Sequence, residues 1–390
     1  MKDGWRLHKY YSTLQSILRR IESCEYCLKI NQKYMLDYYE FLVAQGLSIP
    51  RIAKCLHLAA KIDNVLKKDL KKLNKSDIIK YLGWMENSSY TEWTKKDFRV
   101  GLKKFIRWLN NDNEPDYFKI IKSTIKNKSK LLPQEILTQK EVMKLIKYAS
   151  QVRDKAIISV LYESGCRIGE ILTLKLKHIV FDEYGCLLNV NGKTGVRQVR
   201  IISSTSILNQ WISDNPHSNN SDSYLWCSHK YVNNELIGYN SVKKVLEKTA
   251  RRAGINKKVN PHAFRHARAT HLATKLTEAQ MKMYFGWTQS SKMAAVYVHL
   301  SGRDVDDAIL KLHGIKKQEL EKEEFSLQKC RCGENNPPNN KYCLKCGKPL
   351  SIETFTEIDE NKEKANNIMN ELMKNPEVIK LVQKMMVKTK

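Results

Sequence analysis

No apolar stretch in the sequence approaches the ~18–20 residues that a membrane-crossing helix needs. The N-terminal stretch lacks the apolar core of a secretory signal, so a cytoplasmic location without membrane contact is expected. Cysteine is thin outside one C-terminal cluster: of ten in 390 residues, six are scattered over the rest of the chain. That spacing excludes a disulfide framework and fits a reducing compartment. Acidic residues are also short, with 41 Asp and Glu against 68 Lys and Arg. The formal net charge of +27 and pI near 9.5 point to a polyanionic partner, nucleic acid first. The sequence does contain enough apolar residues, 42%, for sizeable cores in two or three domains.

A phosphate-binding nucleotide loop is missing as well. Gly192-Lys193-Thr194 has the right ending, but Leu187 stands where the earlier Gly of such a loop belongs. The Lys instead sits between two strand-like runs, 186–191 and 196–202, which follow a short run at 178–181. Asp182-Glu183-Tyr184-Gly185 and Gly192-Lys193-Thr194-Gly195 turn the chain between them, predicting a three-stranded antiparallel meander with Lys193 at a hairpin tip.

Residues 1–127 read as short amphipathic helices. Met35, Tyr38, Tyr39 and Leu42 recur at helical spacing before Gly46, and Ile52, Leu56, Ala59, Ile62 and Leu66 form a second stripe. Ser76 is expected to cap a short helix through Leu82, and Thr94 with Asp97 to open another as a capping box. Lys67, Lys68, Lys71 and Lys72 suit DNA phosphates on one reading and a solvated face on the other. Cys24 and Cys27 have no second pair nearby and read as helix-face or core thiols. The basic stretch 127–134 reads as a linker, and Thr138 with Glu141 opens a new helix.

The chemistry-bearing residues lie downstream. An apolar helix, a Ser164-Gly165-Cys166 turn and a second helix are predicted over 153–177, with Arg167 and Glu170 on one face. Apolar neighbours on both sides imply a partly buried Arg whose fork Glu170 holds. A basic helix is expected at 240–253. Asn260-Pro261 then marks a helix start with His262 and Arg265 on its first turns, where free N–H groups and the dipole favour a phosphate. Thr277 with Gln280 starts another helix that stops at Phe285-Gly286-Trp287, and a short helix after Ser290 carries Tyr297.

Taken in order, Gly165-Cys166-Arg167-Ile168-Gly169-Glu170, the hairpin Lys193, His262-Ala263-Phe264-Arg265-His266, Phe285-Gly286-Trp287 and Tyr297-Val298-His299 resemble the active-site motifs of the tyrosine recombinases, the phage integrase family. The resemblance covers about residues 134–313. It implies site-specific cleavage and rejoining of double-stranded DNA through a 3′-phosphotyrosine, without ATP or a catalytic metal, by a homo-oligomer that is a tetramer on two duplexes. Arg167 and Arg265 would clamp the phosphate, Lys193 would protonate the leaving 5′-oxygen, His262 would assist the Tyr297 proton or hold the phosphate, and Glu170 would orient its neighbours. Trp287 stands where many members have His, so only a positioning role by its indole N–H is left there. His266, His271 and His299 read as packing or supporting groups. A relaxing topoisomerase of type IB shares this chemistry, and a DNA-binding protein without catalysis is a third reading. The complete residue set opposes the latter.

Near the C-terminus, Cys330, Cys332, Cys343 and Cys346 form two knuckles, each followed by Gly, and read as an all-thiolate structural zinc site. A charged helix end or linker is expected at 319–324. A last apolar helix pattern runs through Ile368, Met369, Leu372 and, beyond Pro376, Ile379, Leu381, Val382, Met385 and Met386, and is expected to pack on a neighbouring subunit. The expected fold is mainly α with a small antiparallel meander (α+β). Its parts are a helical core-binding domain (1–127), a linker (128–137), a catalytic domain (138–318), a zinc-ribbon-like segment (326–350) and a C-terminal helix (358–390).

Overall fold

The computed structural model describes residues 10–124, 133–227, 236–300, 313, 325, 327–338, 340–372 and 374, and for 133, 298–300, 352–353 and 355–359 the backbone only. The expected 319–324 helix end or linker, the His299 side chain and the apolar positions beyond Pro376 lie outside the described residues. The chain divides into two compact units, residues 1–133 with 235–242, and residues 134–234 with 243–390. Among the described residues no helix is long and apolar enough to cross a membrane.

The first unit is helical: α1 (Tyr10–Glu22), α2 (Gln32–Ala44), α3 (Ile49–Leu66), α4 (Lys75–Glu86) and α5 (Glu92–Leu109). The two stripes expected from the sequence, Met35, Tyr38 and Leu42 on α2 and Ile52, Leu56, Ala59 and Ile62 on α3, meet in one buried core. Fully burying one such side chain contributes roughly 1.5–3 kcal/mol. A polar knot closes the unit: buried Asp63 accepts from the Leu28 N–H and Asn31 Nδ2, while Asn31 Oδ1 accepts from the Leu70 N–H. Two helix starts differ from expectation. Asn74, not Ser76, caps α4 and forms the box with Asp77, because its carbonyl oxygen reaches the Ser76 and Asp77 N–H groups. Thr91, not Thr94, caps α5, one turn earlier, since Glu92 and Trp93 can already adopt helix. Cys24 and Cys27 lie past the end of α1 rather than on a helix face; Cys27 is buried.

The second unit begins with α6 (Gln139–Tyr148), opened by the expected Thr138–Glu141 capping box. Next come α7 (Val152–Ser164) and the short α8 (Ile168–Leu172). The meander consists of β1 (Ile179–Asp182), β2 (Gly185–Gly192) and β3 (Gly195–Ile201), with Val190 opposite Arg197 and Gly192 opposite Gly195. Cys186, Leu188 and Val190 alternate inward on β2, as the period of two requires. Helices α9 (Thr205–Asp214), α10 (Tyr239–Arg252), which begins in residues assigned to the first unit, α11 (Pro261–Ala273), α12 (Glu278–Phe285) and α13 (Met293–Leu300) follow. Helix α11 packs on α7, α12 and α13. Glu163, buried at the end of α7, accepts from the N–H groups of Ile202, Ser203 and Ser204 and so fixes the exit of β3 against the helices. After Phe325, whose ring meets Tyr162, come the two-residue strands β4 (Gln328–Lys329) and β5 (Asn335–Asn336) and the helix α14 (Ile352–Leu372). Ile368, Met369 and Leu372 on α14 are exposed.

Candidate active site

Helix α11 starts as the sequence dictates. Asn260 Oδ1 accepts from the Ala263 N–H at 2.9 Å and Pro261 occupies the first turn. This fixes three side chains within about one turn: His262, Arg265 and His266. Arg265 is 7% exposed, and its fork donates to two helix-end carbonyls, Gly165 O and Phe285 O, both at 2.8 Å. Those are C-terminal carbonyls of α7 and α12, which lack intrahelical partners and carry the negative end of the dipole. Gly165 and Gly286 end those helices in the left-handed region, φ +56° and +60°. The loops they create carry Arg167 and Trp287 to the same place. A Cβ at Gly165 would also stand 2.5 Å from the Phe285 ring.

Arg167 lies half-buried at the start of α8. Its Nη1 donates to Glu170 at 2.9 Å and its Nη2 to Gly286 O at 3.2 Å. Glu170 is buried and also takes a bond from Arg197 Nη2 at 2.7 Å. Burial opposes the Glu170 charge, but the hydrogen bonds and charge of Arg197 and the bonds from Arg167 outweigh it and hold the carboxyl below its usual range. The sequence motifs do not single out Arg197. A signal was nevertheless there: it shares the inward face of β3 with buried Val199 and Ile201, where an Arg needs a partner. Its Nε donates to Tyr284 O at 3.1 Å, so one guanidinium joins β3, α8 and the end of α12.

Three guanidiniums, Arg167, Arg197 and Arg265, face one carboxylate, which leaves two unbalanced positive charges. Burial and then the Arg167 charge push Arg265 down to about 10, still charged at neutral pH. Such a site favours an anion, and most of all one that gains charge during reaction. His262 is exposed beside it. Burial of part of its ring, then the Arg265 and Arg167 charges, lower its pKa and keep it neutral at pH 7.

Tyr297 is buried, 2% exposed, on α13. Its ring lies parallel to Trp287, 5.6 Å between centroids at 2°, and Trp287 in turn stacks on Phe285 at 4.9 Å. The Arg265 guanidinium is 5.4 Å from the Trp287 ring centroid. Trp287 thus holds the Tyr ring in place. The Tyr297 hydroxyl meets His266 Nδ1 at 2.5 Å. Burial pushes the phenol up to about 12, although Arg265 pulls the other way. His266, expected as a packing or supporting group, touches the Tyr297 hydroxyl. Arg167, Glu170, His262, Arg265, Trp287 and Tyr297 are brought together within one chain. Lys193 stays exposed at the two-residue turn between β2 and β3, and only its neighbour Thr194 reaches the site, donating to Gly286 O at 3.3 Å.

Residues 135–303 match the phage integrase family. The chain is 26% identical over 235 residues to the tyrosine recombinase XerA of Pyrococcus horikoshii, covering 60% of this chain and 79% of that protein. In fold it is similar to the XerH site-specific recombinase bound to its difH substrate before cleavage, with TM-score 0.54, 18% identity, 78% of this chain and 96% of that one. It is also similar to a lambda integrase tetramer bound to a Holliday junction, with TM-score 0.54, 17% identity, 70% of this chain and 79% of that one. Every residue of the site just described, Arg197 and His266 included, falls within the matched residues.

Outside the domain, the sulfurs of Cys330, Cys332, Cys343 and Cys346 lie within 4.8 Å of one another. Cys330 and Cys346 are 3.6 Å apart, as are Cys332 and Cys343. Tetrahedral zinc with Zn–S near 2.3 Å requires S–S separations of about 3.8 Å, so the donor set fits. Gly333 and Gly347, at φ +90° and +70°, let each knuckle turn, and Asn336 Nδ2 approaches Cys343 Sγ at 3.6 Å.

Proposed function

We propose that the protein is a site-specific DNA recombinase of the tyrosine type, cleaving and rejoining double-stranded DNA through a covalent 3′-phosphotyrosine at Tyr297, without ATP. The observation that carries this reading is a buried phenol beside a cluster of three guanidiniums that shares a single carboxylate. Arg167 and Arg265 bind the non-bridging oxygens of the scissile phosphate and stabilise the charge that builds there. The Tyr297 oxygen attacks phosphorus, forming the P–O bond as the P–O5′ bond breaks. Lys193, on its hairpin tip, gives a proton to the leaving 5′-oxygen. His262, exposed and beside both guanidiniums, holds the phosphate, and Trp287 fixes the ring of Tyr297. Because the bond energy stays in the phosphotyrosine, a 5′-hydroxyl from a partner strand reverses the step without a nucleotide.

Residues of the first unit supply much of the positive surface that tracks the DNA backbone, and the chain acts as a tetramer on two duplexes, with α14 and the chain beyond it covered by a neighbour. Zinc bound by Cys330, Cys332, Cys343 and Cys346 holds the short segment around β4 and β5 together and takes no part in the chemistry. The test is a nicked duplex series. Trapping of a covalent complex at one defined sequence, lost in Tyr297→Phe while DNA binding persists, supports the reading. Relaxation of supercoiled DNA without sequence preference would identify a topoisomerase instead.

A further inference from the structure

We infer that His266, rather than His262, is the catalytic proton partner of Tyr297, taking the phenolic proton as the oxygen attacks and returning it on rejoining. This rests on the recombinase reading of the site. The geometry divides the two histidines of α11. His266 Nδ1 is 2.5 Å from the Tyr297 hydroxyl. His262 is exposed, and the charges that act on it are the two phosphate-clamping guanidiniums. They are one turn apart on one face, with Arg265 between them in the chain, so a phosphate-facing group and a phenol-facing group lie side by side on the helix.

Chemistry assigns the direction of the hydrogen bond. The Tyr297 phenol is buried and protonated, and a buried O–H requires an acceptor. Among the described residues, His266 Nδ1 is the atom within reach, so it accepts and Nε2 carries the ring proton. Burial, with smaller effects from His262 and Arg265, lowers the His266 pKa, so the ring is neutral and basic at pH 7. Among the described residues, the nearby ionisable groups of α7 and α12 have other partners. Tyr162 of α7 bonds His271, Glu163 binds the backbone at 202–204, and Tyr284 of α12 donates to Glu163 O. The step balances. The Oη–H pair becomes the new P–O bond, the proton moves to Nδ1, and the P–O5′ pair leaves with O5′, which is protonated by Lys193.

The experiment uses the full chain and a nicked duplex carrying the cleavage site mapped with the wild type. A wild type that never traps would end the recombinase reading itself, an outcome distinct from a trapping wild type whose His266 variant behaves normally. Covalent complex formation is measured under single-turnover conditions from pH 6 to 10 for the wild type, His266→Gln and His262→Gln. His266→Gln is expected to lose ~10²–10⁴-fold at neutral pH and to regain about tenfold per pH unit, as hydroxide replaces the missing base. His262→Gln is expected to lose rate without that slope. A duplex with sulfur at the bridging 5′ position, which leaves without a proton, should rescue Lys193→Ala and not His266→Gln. A His266→Gln rate within a few-fold of wild type, an equal loss at every pH, or the hydroxide slope appearing in His262→Gln overturns the inference. A fold-independent check is the ¹⁵N resonance of His266 Nδ1. It should move on Tyr297→Phe, which keeps the ring and removes the donor, and an unmoved resonance also overturns it.

Discussion

At the residue scale, the site works by placing ionisable groups where their ordinary pKa values no longer hold. His271 illustrates the cost. Its Nδ1 hydrogen-bonds with the Tyr162 hydroxyl at 2.6 Å, and burial, then the Arg268 charge, push it down to about 4. The unfolded chain takes up a proton near 6.5 that the folded chain refuses until about 4. This group's contribution to stability is therefore complete above about 6.5 and is lost as pH falls toward 4, about 3 kcal/mol over that window. Urea midpoints of the wild type should fall between pH 7 and pH 4.5, and the drop should shrink in His271→Gln. An equal drop in both would show that other groups control acid unfolding. Tyr297 has the opposite problem: a phenol pushed to about 12 is inert at neutral pH without a base at its side.

At the element scale, Arg197 ties the β2–β3 hairpin into the guanidinium cluster. Arg197 reaches from β3 to Glu170 on α8 and to the Tyr284 carbonyl on α12, so three elements share one fork. Arg197→Ala should leave Glu170 holding Arg167 alone. We expect covalent trapping to fall ~10–100-fold with DNA affinity changed little, because the loss is one of positioning. Arg197→Lys should recover only part of this, since an ammonium cannot reproduce the planar fork. A gel-shift series beside single-turnover trapping separates the two effects. Gly286 gives an independent handle. It sits at φ +60°, and an added Cβ would stand 2.8 Å from Arg197 Nη1. Gly286→Ala should mimic the Arg197 defect and lower stability by about 1–2 kcal/mol, read as a shifted melting midpoint.

At the scale of the whole molecule, a net charge of +27 makes binding a matter of counterion release. If six or more phosphates are neutralised, affinity for a duplex should fall ~10³-fold or more between 50 and 200 mM salt. A salt-independent affinity would contradict a backbone-led mode. The Cys cluster makes a separable prediction. A thiol-competing chelator should release one zinc per chain and open residues 327–350 to protease, while trapping by the integrase-matched residues persists. Loss of trapping on zinc removal would mean that the segment supports the active site.

Much of this was legible in one dimension because local physics decided it. The Asn260-Pro261 start of α11, the Thr138 and Thr277 capping boxes, the left-handed stop at Gly286 and the alternation of β2 each depend on a few neighbouring residues. The order of Arg167, Lys193, His262, Arg265, Trp287 and Tyr297 and the two Cys knuckles were equally readable. The fold alone decided which groups meet across 20 to 100 residues of chain. Glu170 pairs with Arg197 as well as with its near neighbour, and Arg265 is oriented by carbonyls at Gly165 and Phe285. His266, one residue past Arg265, becomes the partner of Tyr297 for the same reason. Capping and periodicity act over a turn or two, whereas a hydrogen bond between α11 and α13 exists only after both helices have packed, and no spacing along the chain encodes its 2.5 Å.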